Sequence, residues 1–386
     1  MSGKPTLAVV GATGAVGAVL LQMLTHHADV WGEIRLLASS RSAGRKAAVR
    51  GEECEVLALS EENLTGVDVA LFLVPDDVAA RWAPIAAAKG TVVVDTSTAF
   101  RADPDVPLVV PEINPHAVRI RPRGIVASPG CTTLALIVAV GALHAEFGLT
   151  ELVVTAQQAA SGAGRAGTGA LREQLALVAD GELGTHPGDV RRAVGDHTGP
   201  FPGPLALNVL PWSGAPAADG WSSEELGVRE ETRKILGLPG LRVAATCVRV
   251  PVVTGHSASV HARFERPLTV ERAHEVLATS PGVVLYDDPA TGDFPTPADV
   301  VGTDPTWVGR VRRSMDDERA LEFFVCGDNL RKGAALNAVQ IAEQIAGQRA
   351  EQPGEQLAEQ FGEQLAEQFG EQPGERRADR VAEDGV

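Results

Sequence analysis

Leu7-Ala8-Val9-Val10 is a short buried-strand signal that runs straight into Gly11-Ala12-Thr13-Gly14-Ala15-Val16-Gly17. An apolar helix pattern, Val19-Leu20-Leu21 with Leu24, follows at once. Strand, glycine turn and helix N-terminus in this order commit the start of the chain to a βα unit. Small residues in such a turn let backbone N–H groups approach a pyrophosphate. The GxxGxxG spacing is weak evidence alone, and a merely tight βα turn has the same pattern. Further units follow: a strand over Ile34 to Ala38, a strand over Val67 to Val74, and a strand over Thr91 to Asp95. A helix from Asp76-Asp77 to about Lys89 separates the last two, with Pro84 as its expected kink. This alternation argues for a mostly parallel sheet covered on both faces.

The second strand ends in Ser39-Ser40-Arg41-Ser42-Ala43-Gly44-Arg45-Lys46. A turn specific for NAD presents Asp or Glu here to hold the ribose 2′-hydroxyl. Hydroxyls and cations without an acid suit a 2′-phosphate and therefore NADP. The alternative is a solvated basic loop. Arg101 stands past the end of the third of these strands, where open α/β sheets place ligands, although a surface arginine would look the same.

The most chemically loaded stretch is Ala127-Ser128-Pro129-Gly130-Cys131-Thr132-Thr133-Leu134, ahead of an apolar run to Leu143. It reads as a tight turn opening a buried helix, with Cys131 at or just before the N-terminus. There the unpaired N–H groups and the helix dipole favour a thiolate. Cys131 is then a candidate nucleophile whose helix terminus could also cradle an oxyanion. A small buried cysteine capping a core helix is the competing reading.

Composition closes off other classes. The chain has 386 residues, enough for two domains. Cys54, Cys131, Cys247 and Cys326 are widely spaced without a CxxC pair, which argues against a disulfide framework or a zinc site and fits a reducing cytoplasm. No metal is expected. The N-terminus shows no signal-peptide pattern, and no apolar run approaches the roughly 20 residues needed to span a bilayer. A net charge of −16 disfavours nucleic acid and anionic membranes as partners. Much of that charge is local, since residues 351–386 carry ten acids against three bases. There Gly354 to Phe361 recurs as Gly362 to Phe369. Glycine at each eight-residue boundary suits a disordered tail or a weak interaction segment better than a helix.

Beyond the cysteine helix, Leu152 to Ala156 reads as a strand, and Gln157 to Arg165 as a glycine-rich loop lying against a ligand or another backbone. Residues 180–223 read as long loops, and Glu224 to Leu236 as an amphipathic helix. The segments 241–253 and 259–264 are strand-like, which points to a second, more antiparallel domain. Ala334 to Ile345 is a strong last helix.

Taken in order, these signals resemble the aspartate-semialdehyde dehydrogenases over nearly all of residues 5–346. The matches are Gly11 to Gly17, Ser40 to Gly44, Pro107 to Asn114, the cysteine turn, and Gln158 with Ser161-Gly162-Ala163-Gly164. Val248-Arg249-Val250-Pro251, Gly255-His256-Ser257, Val308-Gly309-Arg310 and Asp328 to Ala335 complete them. The resemblance implies an α/β fold in which a Rossmann-like parallel-sheet domain (1–130) binds NADP and is completed by 329–347. It implies an α+β catalytic and dimerisation domain over 131–328, with 348–386 left as the acidic tail. It also implies reduction of L-aspartyl 4-phosphate to L-aspartate 4-semialdehyde and phosphate by NADPH, in the biosynthesis of lysine, threonine and methionine. Cys131 would form the thioester, His256 would serve as acid and base, and Gln158 would orient the intermediate. Arg249 would hold the substrate carboxylate, Arg101 the phosphate, and Glu224 the amino group. Cofactor contacts would come from Gly11, Thr13, Gly14, Ala15, Val16, Gly17, Ser39, Arg41, Ser42, Ser161, Gly162 and Asn329. A cytoplasmic homodimer or dimer of dimers is implied.

Two positions depart from that family's pattern. Gly130 precedes the cysteine where the family usually has Asn, as in the sister N-acetyl-γ-glutamyl-phosphate reductases. Gly227 stands where the family has a phosphate-binding lysine. Reduction of another acyl phosphate, such as N-acetyl-γ-glutamyl phosphate, is therefore an alternative reading, and a non-catalytic nucleotide-binding relative is a third.

Overall fold

The computed structural model describes residues 3–27, 30–179 and 181–348; the acidic repeat assigned to the tail lies outside them from residue 349 on. The first strand, β1 (Leu7–Val10), is fully buried, and it turns through Gly11 into helix α1 (Ala15–Leu24). Gly11 adopts φ +93°, and a Cβ there would stand 2.2 Å from the Leu73 carbonyl oxygen. No other residue fits that turn. β2 (Ile34–Ala38) lies beside β1, and β3 (Lys46–Val49) with β4 (Glu52–Ala58) form a hairpin at the sheet edge. The hairpin turns at Arg50-Gly51, both at positive φ, as a two-residue turn requires. β5 (Val69–Phe72), α2 (Asp76–Ala88), β6 (Val92–Asp95) and β7 (Ile125–Ala127) complete the unit. The sheet order is β3-β4-β2-β1-β5-β6-β7, and every pairing is parallel except the β3–β4 hairpin. The order reverses at β1, so the glycine turn sits at the switch point where such sheets bind ligands.

Helix α3 (Cys131–Phe147) leads out of this sheet into the second one. β8 (Leu149–Gln158) follows, then α4 (Gly164–Leu177), the short α5 (Asp189–Val194) and α6 (Ser223–Leu236). β9 (Arg242–Arg249), β10 (His256–Phe264), α7 (Val270–Thr279), β11 (Val283–Leu285), α8 (Pro297–Val300), β12 (Thr306–Arg313) and β13 (Ala320–Gly327) finish the second sheet and its cover. Its order is β11-β12-β13-β10-β8-β9. The sheet is mixed rather than simply antiparallel, because β8–β9 and β11–β12 pair in parallel. The glycine-rich segment expected as a loop instead enters α4. Gly167 in that helix allows a close approach, since a Cβ there would meet the Ala160 carbonyl oxygen at 2.3 Å. α6 begins on a capping box, with Ser222 accepting from the Glu225 N–H and the Glu225 carboxylate accepting from the Ser222 N–H.

The chain then returns to the first sheet. A π turn over Arg331–Ala335 leads into the last helix, α9 (336–348). Leu336, Val339, Ile341 and Ile345 pack with Leu20, Leu24, Val9 and Leu36. One buried ion pair pins this return. Lys332 Nζ donates to both Glu112 oxygens at 2.8 and 2.6 Å, and to Asn337 and Gln340. Asn337 in turn donates to the Val109 carbonyl oxygen and the Ser128 hydroxyl. With both partners almost wholly enclosed, removing one strands the other as a buried charge. Glu112→Gln and Lys332→Met are each expected to lower unfolding free energy by about 3–5 kcal/mol, read as a drop in the urea midpoint at unchanged slope.

Candidate active site

Cys131 is the first residue of α3, behind the extended N-cap Gly130 (φ −64°, ψ 150°). His256 opens β10, which runs antiparallel to β8, while Gln158 and Arg249 lie opposite each other where the parallel strands β8 and β9 end. Three strand ends and one helix start therefore meet at a single point. Cys131 Sγ lies 3.3 Å from His256 Nε2. The Ala159 N–H donates to His256 Nδ1 at 3.1 Å, so the proton of the neutral ring sits on Nε2 and points at the sulfur.

The residue whose backbone N–H orients the histidine also orients the arginine through its carbonyl oxygen. Arg249 Nη1 donates to the Ala159 carbonyl oxygen at 2.8 Å, and Nη2 to Ser213 Oγ at 2.7 Å. The Ser213 hydroxyl donates to Gln158 Oε1. Gln158 Nε2 donates to Thr132 Oγ1 at 2.5 Å and to Glu224 Oε2 at 3.0 Å. Gly162 closes this wall: a Cβ there would stand 2.6 Å from Arg249 Nη1 and 3.2 Å from His256 Nε2. On the far side, a Cβ on Gly333 would stand 3.2 Å from Cys131 Cβ.

Arg101 closes the other side. Nε and Nη2 donate to the carbonyl oxygens of Ser128 and Thr96, and Nη1 pairs with Glu231 at 3.0 Å. Lys234 fixes this loop from α6 by donating to the carbonyl oxygens of Arg101, Asp103 and Val106. A cavity of about 1070 Å³ opens here at the N-terminus of α3, with Arg101, Gly130, Thr132, Glu224, Gly227 and Glu231 among its walls.

The electrostatics correct one expectation from the sequence. Burial, helped by the Glu224 carboxylate, pushes the Cys131 thiol up to about 11 against the opposing pull of Arg101 and Arg249. Burial and the nearby Arg249 charge hold His256 down to about 3. The resting pair is a neutral thiol and a neutral imidazole, because the enclosure that positions them outweighs the helix terminus that favours a thiolate.

The residues expected to hold a dinucleotide lie around the first glycine turn. Gly14 caps α1, Ala15 and Val16 lie in its first turn, and a Cβ on Gly17 would stand 2.4 Å from the Gly11 carbonyl oxygen. The bare turn leaves the N–H groups of the α1 first turn without intrahelical partners, which fits a pyrophosphate. Thr13 Oγ1 donates to Ser42 Oγ at 3.4 Å, so the glycine turn and the loop after β2 meet, with Ser39 and Arg41 exposed. Ser161 and Asn329 are brought together elsewhere: Asn329 Oδ1 accepts from the Ser161 hydroxyl and from the Gly255 N–H. Sequence reasoning missed Ala159, Thr132, Ser213 and Glu231. Glu231 alone had a readable signal, two helical turns after Glu224 on the same face. Among the described residues no group of His, Cys, Asp or Glu is arranged to hold a metal ion, and no helix is long and apolar enough to cross a membrane.

Comparison with known proteins places this geometry in company. Residues 6–120 match the family described as semialdehyde dehydrogenase, NAD binding domain, and residues 140–332 match the semialdehyde dehydrogenase dimerisation domain. The aspartate-semialdehyde dehydrogenase of Corynebacterium glutamicum is 46% identical over 346 residues, covering 88% of this chain and 98% of that protein. The Aquifex aeolicus enzyme of the same name is 40% identical over 339 residues, covering 87% and 96%. The crystal structure of aspartate semialdehyde dehydrogenase II from Vibrio cholerae superimposes with a TM-score of 0.81 at 37% identity, covering 88% of this chain and 98% of that one.

The neutral resting pair sets a measurable pH profile. Below about 11 the thiolate is the minor form, and its share grows as pH rises. Alkylation of Cys131 by iodoacetamide, followed by peptide mapping, should quicken about tenfold per pH unit over roughly pH 6–9 without a plateau. A plateau near neutrality would instead report a thiolate–imidazolium pair.

Proposed function

Since the chain belongs to the aspartate-semialdehyde dehydrogenase family, we propose that it reduces L-aspartyl 4-phosphate to L-aspartate 4-semialdehyde and phosphate with NADPH, through a thioester on Cys131. The observation that carries the reading is the 3.3 Å approach of Cys131 Sγ to His256 Nε2 at the start of a buried helix. The Cys131 sulfur attacks the acyl carbon, and phosphate departs with the electrons of the carbon–oxygen bond and with the thiol proton, as hydrogen phosphate. NADPH, when bound, supplies the hydride that converts the thioester carbonyl to the aldehyde level. The carbon–sulfur bond then breaks to give the aldehyde and a thiolate, which accepts a hydrogen bond from His256 Nε2–H and takes up a proton from solvent. Arg249 holds the substrate carboxylate, Glu224 the amino group, Gln158 the intermediate and Arg101 the phosphate. The residues before α3, with α9, serve the nucleotide, and those between them serve catalysis and pairing into a homodimer or a dimer of dimers. The NADP preference is supported by the hydroxyls and Arg41 in an acid-free loop after β2. The product would feed synthesis of lysine, threonine and methionine in the cytoplasm.

Gly130 and Gly227 favour a second reading, in which the same chemistry serves another acyl phosphate. Phosphate-dependent oxidation of L-aspartate semialdehyde, followed as NADPH appearance, separates the two. The expected result is turnover that is lost in Cys131→Ala. Oxidation of N-acetyl-glutamate semialdehyde in its place would transfer the reading to the sister substrate.

A further inference from the structure

The wall of the α3 cavity already holds an anion of the chain's own making. Glu231 Oε1 accepts from Arg101 Nη1 at 3.0 Å, and Oε2 accepts from the Gly130 backbone N–H at 2.8 Å. A guanidinium beside the N–H groups of a helix start is an anion seat by charge, dipole and hydrogen-bond geometry. The seat adjoins Cys131, and it cannot be vacated by moving Arg101, whose Nε and Nη2 are tied to backbone carbonyls. Glu231 is enclosed there, with 8% of its side chain exposed.

Two glycines make this arrangement possible. A Cβ on Gly130 would stand 2.9 Å from Arg101 Nη1 and 3.4 Å from Glu231 Oε2, so a larger residue would prise the pair apart. Gly227 lies one helical turn before Glu231, and a Cβ there would stand 3.6 Å from Glu231 Oε1. A lysine at that position would face Glu231 as an i,i+4 pair and draw its carboxylate along α6. Glycine leaves Arg101 as the cation that holds it.

We propose that Glu231 is a specificity-determining residue that occupies the leaving-group seat at rest, so that phosphate enters only by displacing its carboxylate from Arg101 and Gly130. This rests on the acyl-phosphate reading above. The seat is then neutral overall rather than cationic, which weakens a phosphate dianion more than it weakens the amino-acid end of the substrate.

Initial rates with phosphate varied at saturating aldehyde test it on the full chain. The phosphate-free burst of NADPH reads thioester formation separately. Glu231→Gln keeps the shape and removes the charge, and should lower the phosphate KM about tenfold relative to the aldehyde KM. Glu231→Ala, which removes the carboxylate without adding a cation, should move it in the same direction, and it carries the test by itself if Glu231→Gln fails to fold. An unchanged phosphate KM in the folded variants, or a rise in Glu231→Gln, overturns the proposal and makes Glu231 a strut that aims Arg101. Loss of the burst in the unaltered protein overturns the thioester reading, and the phosphate seat falls with it.

Discussion

Helix α3 belongs to two hydrophobic cores at once, and the rest of the molecule is arranged around that fact. Leu134, Ile137 and Val138 pack with Val93 and Ile125 of the first sheet. Leu136, Ala139, Val140 and Leu143 pack with Val154, Val260 and Phe323 of the second. From Thr132 to Gly141 every residue of the helix is buried, and a stretch enclosed on all sides requires both sheets to close on it. Its N-terminus is then fixed where the carboxyl ends of β8 and β9 meet the start of β10. Cys131 is positioned by the burial of the residues behind it, and its side chain then meets His256 Nε2 at 3.3 Å. This is a stiff mounting, because packed cores yield little to local strain.

The same enclosure sets the chemistry. Burial holds back both the thiolate and the imidazolium, so reactivity waits on what enters the cavity. Arg249 and Arg101 favour the thiolate, and Glu224 opposes it. A substrate whose groups engage these side chains changes the field at the sulfur as it binds. In this arrangement His256 is presented as a donor. The Ala159 peptide occupies Nδ1, and the only ring proton faces the sulfur. A hydrogen-bond donor so placed suits a step in which negative charge returns to sulfur, as the proposed breakdown of a thioester would require.

Much of this was legible from the sequence, for physical reasons that can be named. The glycine turn was legible because close backbone approach leaves only glycine at Gly11, and the buried strands around it were legible as short apolar runs. The α3 start was legible because Pro129-Gly130 ahead of an unbroken apolar run has few other meanings. The hairpin at Arg50-Gly51 was missed because its strands are half exposed and carry Lys46, Glu52, Glu53 and Glu55, which mask any apolar alternation. Helix α4 was hidden by Gly164, Gly167 and Gly169, which weaken local propensity while Gly167 permits the close contact that holds the helix in place. In the site, the residues that resemblance supplied are drawn together, but their supports were invisible. Ala159 acts through its backbone, which no side-chain pattern reports. Ser213 lies in a stretch of loops, where spacing carries no information.

The π turn before α9 shows how the first unit can bear on the second. Ala335 N–H donates to the Leu330 carbonyl oxygen, a five-residue step, and Gly333 N–H donates to the Asp328 carbonyl oxygen. Asp328 Oδ1 accepts from the N–H groups of Leu330 and Arg331, holding the turn at its base. The extra residue changes which side chains face inward. It lets Lys332 reach Glu112 while Gly333 presses on Cys131. An ordinary helical turn would shift the following side chains by about 100° and could not serve both contacts. Glycine is the residue for this contact, because any Cβ would crowd the cysteine. α9 then carries the turn's position to α1, whose N-terminus is the glycine turn at the switch point. A displacement at that turn therefore has a packed route to the wall of the cysteine. The route runs through Leu20 and Leu24, then Val339 and Leu336, to a buried ion pair that cannot slacken without exposing charge.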